Sequence, residues 1–281
     1  MSTTRTPQLQ RQLQSNHSFS QGVAQGHPDF LPFFSPPLRQ IIMKKHCIYP
    51  LLALISSSAV ASTTYLDLRH EYRDPSDRHR SRVILGHHFD NGYGIEMLTN
   101  INHGTYGDSF GSNLRLSNTE VTNYYTYAVN DNFTLNPGIT LNFLSSNTFY
   151  MPYLKLNYNF DSGFFIHGRY RYDFSSAEAQ NAAGNFETIR RNRYDVWTGY
   201  SSDKFTLSYA YTYFDQITNH PGELANGEQT AREHTMKFMY KYSSFMRPYA
   251  EIVDADKNIY IPEPNKGATE WRYRIGLNFV F

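Results

Sequence analysis

The 281-residue sequence contains a single cysteine, Cys47, only two tryptophans and no apolar run of transmembrane length. A helix that crosses a membrane needs about 20 consecutive apolar residues, and the longest candidate, residues 47–61, is shorter and interrupted by serines. The sequence therefore excludes a helical membrane protein. It also excludes a disordered chain, because such chains have few aromatic residues and a high net charge. Here 23 tyrosines and 20 phenylalanines accompany a net charge of +1.

Residues 43–61 have the features of a secretory signal peptide. The segment begins with the basic residues Lys44 and Lys45, continues with an apolar stretch and ends in small residues at Ala61. We expect cleavage after Ala61, because no helical periodicity continues beyond it, as it would in a short buried helix. Residues 1–42 are rich in Gln, Ser and Pro and precede a complete signal with its own methionine. We interpret them as an upstream extension that is untranslated or disordered.

Removal of residues 1–61 leaves residues 62–281 as the expected mature protein and changes its charge. Its 220 residues contain 21 Lys and Arg against 24 Asp and Glu, a net charge of −3, and no cysteine. An exported chain without cysteine has neither a disulfide framework nor a thiolate metal site. We predict no metal and no cofactor, and no nucleic-acid partner.

Aromatic and aliphatic residues alternate with polar residues along the mature chain, with a period of two. This pattern is typical of β-strands whose two faces meet different environments. The last segment shows it most fully, with Arg272, Arg274, Gly276 and Asn278 between the members of an apolar face. That face consists of Trp271, Tyr273, Ile275, Leu277, Phe279 and Phe281.

Turn-forming residues divide the chain into about twelve such segments. Tight turns are predicted at residues 90–92, 130–132, 161–163, 201–203 and 243–244. Longer polar connections are predicted at residues 103–116, 175–187, 216–229 and 255–268, with short ones at 74–77 and 145–147. Tight turns that alternate with longer loops are typical of bacterial outer-membrane barrels. We therefore predict an all-β fold, a transmembrane antiparallel β-barrel of about 12 strands with short periplasmic turns, longer external loops and both termini in the periplasm.

Aromatic residues at the tight-turn ends of the strands support the membrane assignment, because amphipathic rings form girdles at the membrane interface. The pairs are Phe89 and Tyr93, Tyr127 and Phe133, Phe160 and Phe164, Tyr200 and Phe205, and Tyr242 and Phe245. The alternative, a soluble sandwich or lipocalin-like barrel, would turn its apolar face inward and its arginine-rich face to water. Only a closed barrel satisfies every backbone group in lipid. We therefore place the chain in the lipid of the outer membrane of a Gram-negative bacterium.

When the aromatic face points to lipid, the opposite face of each strand lines the lumen. Fifteen of the 21 basic residues of the mature chain then point inward. These candidate substrate-binding residues are Arg69, Arg73, Arg78, Arg80, Arg82, Lys155, Arg169, Arg171, Arg191, Arg193, Lys237, Lys241, Arg247, Arg272 and Arg274. Nine acidic residues share this face, namely Asp67, Glu71, Glu96, Glu120, Asp173, Asp195, Glu233, Glu251 and Glu270. The predicted lumen therefore has a net charge of +6, whereas the mature chain as a whole has a net charge of −3.

A lumen rich in arginine favours anions, because positive charge in a low-dielectric wall concentrates the potential along the pore. Arginine also offers a planar fork that binds carboxylates in two-point contacts. Part of the set has a structural interpretation, in which pairs such as Arg69 with Glu71 brace the wall. Arg78, Arg80 and Arg82 follow one another with few acidic neighbours in sequence, so we predict net anion selectivity.

Six short segments contain most of these inward basic residues or adjoin them. They are RHEYR at residues 69–73, DRHRSRVIL at 77–85, FDNGYG at 89–94, RYRY at 169–172, RPYAE at 247–251 and YRIGL at 273–277. In this order they resemble the oligogalacturonate-specific porins of the KdgM type, a family that also includes a sialic-acid channel. The resemblance covers the whole mature chain except the loops. It implies a monomeric twelve-stranded outer-membrane barrel with a narrow lumen, whose basic residues pass acidic saccharides.

The residues and the resemblance together predict a channel for passive diffusion of acidic oligosaccharides, above all oligogalacturonates. A sialic-acid channel or a general anion-selective porin is the alternative within the class. Tyr124, Tyr153 and Tyr249 also point inward and are candidates either for contact with sugar rings or for packing within the lumen. The last strand, which ends at Phe281, is the expected contact with the barrel-assembly machinery.

An outer-membrane lipid hydrolase is the remote alternative. It would need Ser, His and Asn, or an equivalent set, together on the outer wall. The outward histidines are His70, His87 and His234, and no serine is predicted beside them. A loop-driven adhesin would need long hydrophobic external loops, whereas these loops are polar. We therefore predict that the chain is not an enzyme.

Overall fold

The computed structural model of the chain describes residues 62–180, 184–218, 224–258, 261 and 265–281. The signal peptide and the upstream extension predicted within residues 1–61 lie outside these ranges and stay predictions. All regular secondary structure in the ranges is β-strand. No helix in this part of the chain is long and apolar enough to cross a membrane.

Thirteen strands follow one another along the chain, as the alternation of β-branched and aromatic residues with polar ones favours. They are β1 Thr63–Asp74, β2 Arg78–His88, β3 Tyr93–His103, β4 Leu114–Tyr125, β5 Tyr127–Ala128, β6 Phe133–Phe143, β7 Thr148–Asn159, β8 Phe164–Gln180, β9 Phe186–Ser201, β10 Phe205–Gln216, β11 Thr230–Tyr240, β12 Met246–Lys257 and β13 Thr269–Val280.

The strands close into a barrel of antiparallel neighbours. The first and last strands pair with each other, from Tyr65 opposite Val280 to Asp74 opposite Trp271. β5 continues β4 after a break at Thr126, and both segments pair with β6. The thirteen segments therefore make a closed barrel of twelve strands, which confirms the predicted fold class. Closure leaves no unpaired strand edge, as a sheet in lipid requires.

The start of β1, the end of β13 and the tight turns lie at the periplasmic end of the barrel. Thr64 and Phe281 exchange backbone hydrogen bonds there, and β1 begins opposite the end of β2. Gly92 and Gly163 each have a φ of 88° in the turns that follow β2 and β7. Only glycine adopts this backbone conformation without strain, so each turn reverses the chain within a few residues.

The external connections are mostly longer, as predicted, but one boundary is wrong. Residues 175–187 were expected to form a loop, whereas β8 continues to Gln180 and β9 begins at Phe186. The register of this hairpin shifts between Phe174 and Glu178, and pairing continues beyond the shift. A strand that extends past the membrane needs no apolar face, so its polar composition resembled that of a loop.

The apolar side chains lie on the outside of the barrel. Tyr273, Ile275 and Leu277 of β13 are 46%, 66% and 39% exposed, and their neighbours along the strand face the lumen. Aromatic rings of adjacent strands contact each other near the periplasmic turns, with 5.1 Å between the ring centres of Phe164 and Tyr200. This arrangement matches the predicted lipid-facing wall and its periplasmic girdle.

Charged residues occupy the interior instead. The largest fully buried side chains in the described ranges include Glu71, Glu270, Asp173 and Asp195, together with Val253. A buried carboxylate is tolerated only when it is paired and hydrogen-bonded. The inner wall is therefore a polar network, and its partners determine which charges remain available to a solute.

Candidate functional site

The barrel encloses a cavity of about 900 Å³. Its wall contains eleven of the fifteen basic residues predicted to face the lumen. These eleven are Arg69, Arg73, Arg80, Arg82, Lys155, Arg169, Arg171, Arg191, Arg193, Arg272 and Arg274. The acidic residues on the same wall are Glu71, Glu96 and Glu120.

The other four predicted residues are not among those that line this cavity. The Arg78 guanidinium lies 4.8 Å from the ring centre of Tyr106, in the loop after β3. Lys237 pairs with Glu251 at 3.1 Å. Lys241 is held at the periplasmic turn after β9, where its Nζ donates to Ser201 Oγ (3.0 Å). Arg247 is the second residue of β12, at the periplasmic end, opposite Asn278.

One group of cations surrounds Glu71 where the first strand meets the last. Glu71 accepts hydrogen bonds from Arg73 (2.7 Å) and Arg274 (2.6 Å). Arg274 also binds Glu251 (3.1 Å), which lies 3.5 Å from Arg69. Cations therefore share a smaller number of buried carboxylates along β1, β12 and β13. We call this group the seam cluster.

A second group lies on β8 and β9, which we call the β8–β9 cluster. Asp195 lies 2.8 Å from both Arg169 and Arg193. Asp173, which is fully buried, binds Arg171 at 2.6 Å and Arg191 at 2.8 Å. Each carboxylate of this cluster therefore holds two guanidinium groups.

The two clusters lie on opposite sides of the lumen. Counted round the twelve-stranded barrel, β8 is six strands from β1 in either direction. Within the β8–β9 cluster, an arginine and its aspartate partner are two residues apart on the same strand, as in Arg171 with Asp173 and Arg193 with Asp195. Residues two apart lie on the same face of a strand, so this spacing predicts pairing within each strand.

Ion pairing separates the predicted basic residues into two sets. Ten of the fifteen lie within 4 Å of a carboxylate, including Arg82, which is 3.1 Å from Asp67. Arg82 has few acidic neighbours in sequence, but Asp67 on the adjacent strand neutralises it, which the sequence spacing did not reveal. On the cavity wall, Arg80 and Lys155 have no carboxylate partner among the described residues. Arg80 donates to Ser117 Oγ (3.1 Å) and Asn118 Oδ1 (3.2 Å).

A wall of amides and hydroxyls on β3, β4 and β6 separates the two clusters. Asn118 accepts from Asn100 Nδ2 (3.0 Å) and donates to Asn142 Oδ1 (2.8 Å) and Glu120 Oε1 (3.2 Å). The three asparagines were not selected from the sequence, although their inward parity was available. The lumen therefore offers neutral hydrogen-bonding groups between two basic walls.

The inward tyrosines pack against glycines on neighbouring strands. Tyr249 lies directly opposite Gly276, and its hydroxyl donates to Asp67 Oδ1 (2.8 Å). Tyr124 and Tyr153 lie in the same way opposite Gly94 and Gly138. A Cβ added at any of these glycines would overlap the tyrosine ring. This geometry supports the packing role that was considered for the three tyrosines.

The outer wall holds a hydrogen-bonded histidine chain near the external end of the strands. Gly111 N–H donates to His103 Nδ1 (3.0 Å), so the proton of that ring is on Nε2. His103 Nε2 then donates to Ser81 Oγ (2.9 Å), and the Ser81 hydroxyl to His70 Nδ1 (3.2 Å). The last contact of this hydrogen-bonded series joins His70 Nε2 and His79 Nδ1, which are 3.1 Å apart.

The expectation that no serine lies beside the outward histidines is therefore wrong for His70. Its neighbour Ser81 is paired with both adjacent strands, opposite His70 on β1 and Ile101 on β3. The backbone amides around this serine belong to the sheet, and an oxyanion needs free N–H donors. The described residues therefore supply no oxyanion site next to Ser81.

The loop after β3 is anchored at several points. Gly107 N–H donates to Asp77 O (3.0 Å), and the Thr105 N–H and hydroxyl donate to Asp108 Oδ2 (2.6 and 3.1 Å). These donors hold the pKa of the Asp108 carboxyl below its usual range. In the described ranges, no group of three or more His, Cys, Asp or Glu residues has the arrangement of a metal site.

A closed barrel with an apolar exterior and a charged, open interior defines an outer-membrane porin. Residues 55–281 match the family model described as oligogalacturonate-specific porin protein (KdgM), and the chain belongs to this family. It is therefore an outer-membrane protein of the KdgM porin family.

Two curated relatives cover most of the chain. The N-acetylneuraminic acid outer membrane channel protein NanC of Escherichia coli K12 is 27% identical over 82% of this chain and 95% of its own length. The oligogalacturonate-specific porin KdgM of Dickeya dadantii is 26% identical over the same shares. A solved NanC porin structure has a TM-score of 0.67 at 25% identity, covering 76% of this chain and 98% of that chain.

Proposed function

We propose that the chain is a channel for passive diffusion of acidic oligosaccharides, above all oligogalacturonates. The observation that carries the proposal is the excess of cations on the inner wall. Eleven basic and three acidic side chains line the cavity, and six further carboxylates pair with these cations, so that cations still outnumber carboxylates by eleven to nine. Such a wall stabilises anions along the whole path. We further propose that the fifteen predicted basic residues act unequally: the paired ones maintain the field and offer weak contacts to carboxylates, whereas Arg80 and Lys155, which have no carboxylate partner among the described residues, bind carboxylates without competition from a paired acidic side chain.

Transport requires each binding step to be favourable but shallow. A guanidinium that already shares a carboxylate offers only part of its donors to a passing solute, so each cluster provides several weak sites instead of one deep site. The amide wall between the clusters offers donors and acceptors to sugar hydroxyls. A saccharide can therefore exchange one set of contacts for the next while it moves.

The repetition of these cations favours a substrate that carries repeated carboxylates. Oligogalacturonate has one carboxylate on every sugar, whereas sialic acid has only one in total, and the two clusters lie on both sides of the lumen. The relatives are named for both substrates, so sialic acid is the alternative within the class.

Planar-bilayer conductance tests the proposal. We expect a reversal potential that indicates anion selectivity, and a block by trigalacturonate at lower concentration than by sialic acid. A cation-selective reversal potential would refute the electrostatic argument. A stronger block by sialic acid would assign the channel to the alternative substrate, and block by neither would refute both.

We also propose that the barrel functions as a monomer and that its last strand, ending at Phe281, is recognised by the barrel-assembly machinery. Export after cleavage at Ala61 belongs to the same proposal. N-terminal sequencing of the protein from outer membranes checks the cleavage, and a mature protein that begins before Met43 would contradict it.

A further inference from the structure

Two aromatic side chains on the inner wall, Phe214 on β10 and Trp197 on β9, were not selected from the sequence. Phe214 lines the cavity. The guanidinium carbons of Arg191 and Arg193 lie 5.2 and 5.0 Å from its ring centre. These distances are within the range of cation–π contacts.

Trp197 has an equivalent environment further along the wall. Lys155 Nζ lies 5.1 Å and the Arg169 guanidinium carbon 5.3 Å from the centre of its ring. Trp197 therefore repeats the combination seen at Phe214, in which one aromatic ring has two neighbouring cations. Its neighbour Lys155 is also one of the two cavity cations without a carboxylate partner in the described ranges.

The cations approach each ring from one side only. Both arginines at Phe214 belong to β9, and the residue opposite Phe214 on its other neighbour, β11, is Ala231. The residue opposite Trp197 on β10 is Ala210. Alanine is too small to cover an aromatic ring, so each ring has a charged side and a side where the directly opposite residue is small.

We propose that Phe214 and Trp197 are stacking platforms for the C–H faces of uronate rings, whose carboxylates bind the adjacent cations. A pyranose uronate has an apolar face of C–H bonds and a carboxylate at its edge, so an aromatic ring beside a cation matches both parts. This inference rests on the proposed function and deepens it. It makes the channel selective for cyclic uronates over acyclic polycarboxylates of equal charge.

The two platforms are placed for successive contacts. Phe214 lies two residues from Gln216, the external end of β10, so it is near the mouth of the barrel. Ala210, opposite Trp197, is four residues from Phe214 on the same strand, which corresponds to about 13 Å along it. An oligosaccharide of a few rings that enters from outside meets Phe214 first and Trp197 next.

Planar-bilayer block by two probes tests the inference. Trigalacturonate is the cyclic probe, and propane-1,2,3-tricarboxylate is an acyclic probe with the same number of carboxylates. We expect Phe214→Leu and Trp197→Leu to raise the half-blocking concentration of trigalacturonate about three- to tenfold, while that of the acyclic probe stays within about twofold. Phe214→Tyr keeps the ring and should retain the wild-type block.

The outcomes separate stacking from other roles. Equal weakening of both probes by Phe214→Leu would mean that the ring only positions Arg191 and Arg193, and would overturn the inference. Unchanged block by trigalacturonate in both leucine variants would overturn it as well. A wild-type channel that neither trigalacturonate nor sialic acid blocks would instead refute the proposed function. Heat-modifiable mobility in gels verifies that each variant is a folded barrel.

Discussion

Arg80 allows the most direct test of the lumen electrostatics. Its guanidinium has only neutral partners, Ser117 and Asn118, among the described residues, and its Nε is buried without a hydrogen bond. Arg80→Gln therefore removes a positive charge that no carboxylate of the described residues pairs with at ion-pair distance. The same substitution at Arg193 would instead expose the charge of buried Asp195 and mix stability with selectivity.

The expected magnitude follows from Coulomb's law. A unit charge about 4 Å from an anion contributes about 1 kcal/mol at the dielectric constant of water, and more where the wall excludes water. A loss of about 1 kcal/mol lowers anion occupancy about fivefold. We therefore expect Arg80→Gln to reduce the anion-to-cation permeability ratio by about two- to fivefold.

Reversal potentials in a KCl gradient measure this ratio. The matched control is Arg190→Gln, which removes the same charge from an exposed position on the outer face of β9. The two variants should differ strongly in permeability ratio near 0.1 M salt and only slightly near 1 M, because the screening length falls from about 10 Å to about 3 Å. Equal selectivity of the two variants at low salt would refute the reasoning, since Arg80 would then lie outside the ion path.

Two further substitutions test the stability of the inner wall. Glu71→Gln removes the carboxylate that Arg73 and Arg274 share and leaves them only Glu270 (3.5 Å) and Glu251 (3.1 Å), respectively, as charged partners. We expect a loss of about 1–3 kcal/mol in the free energy of unfolding. Urea unfolding in lipid vesicles measures it, and a loss no larger than that of Glu178→Gln, at an exposed position on β8, would contradict the network. Gly276→Ala places a Cβ in the ring of Tyr249, at a cost of about 1–3 kcal/mol. Gly168→Ala is the control, since its Cβ would lie 4.0 Å from the nearest atom, and equal stability of both alanine variants would disprove the packing role.

The direction of the pore-lining side chains was predictable because it follows from strand parity. Once one face of each strand is assigned to lipid, every second residue is assigned to the lumen. That argument placed Arg80, Arg169 and Arg272 correctly on the cavity wall. It needed neither the register between strands nor the position of the loops.

The partners of these side chains were not predictable, because they depend on cross-strand register. Asp67 neutralises Arg82 from the adjacent strand, and Ser81 meets His103 only because β2 and β3 pair as they do. The extension of β8 to Gln180 was also missed, since a strand outside the membrane lacks the apolar alternation that marks the others. The distances between side chains on adjacent strands are therefore needed to distinguish cations that are available to a solute from cations that are already paired with a carboxylate.

The seam cluster also makes the formation of the pore wall depend on the completion of folding. Glu71 belongs to the first strand and Arg274 to the last, 203 residues apart in sequence. Contacts this distant form only after the chain between them has been ordered, because the loop entropy must be overcome first. Before closure, Glu71 has only Arg73 and Arg69 of its own strand as partners, and Arg274 has only Glu251 of the adjacent strand. Barrel closure joins these two half-networks and, in the same step, completes the electrostatic lining of the channel.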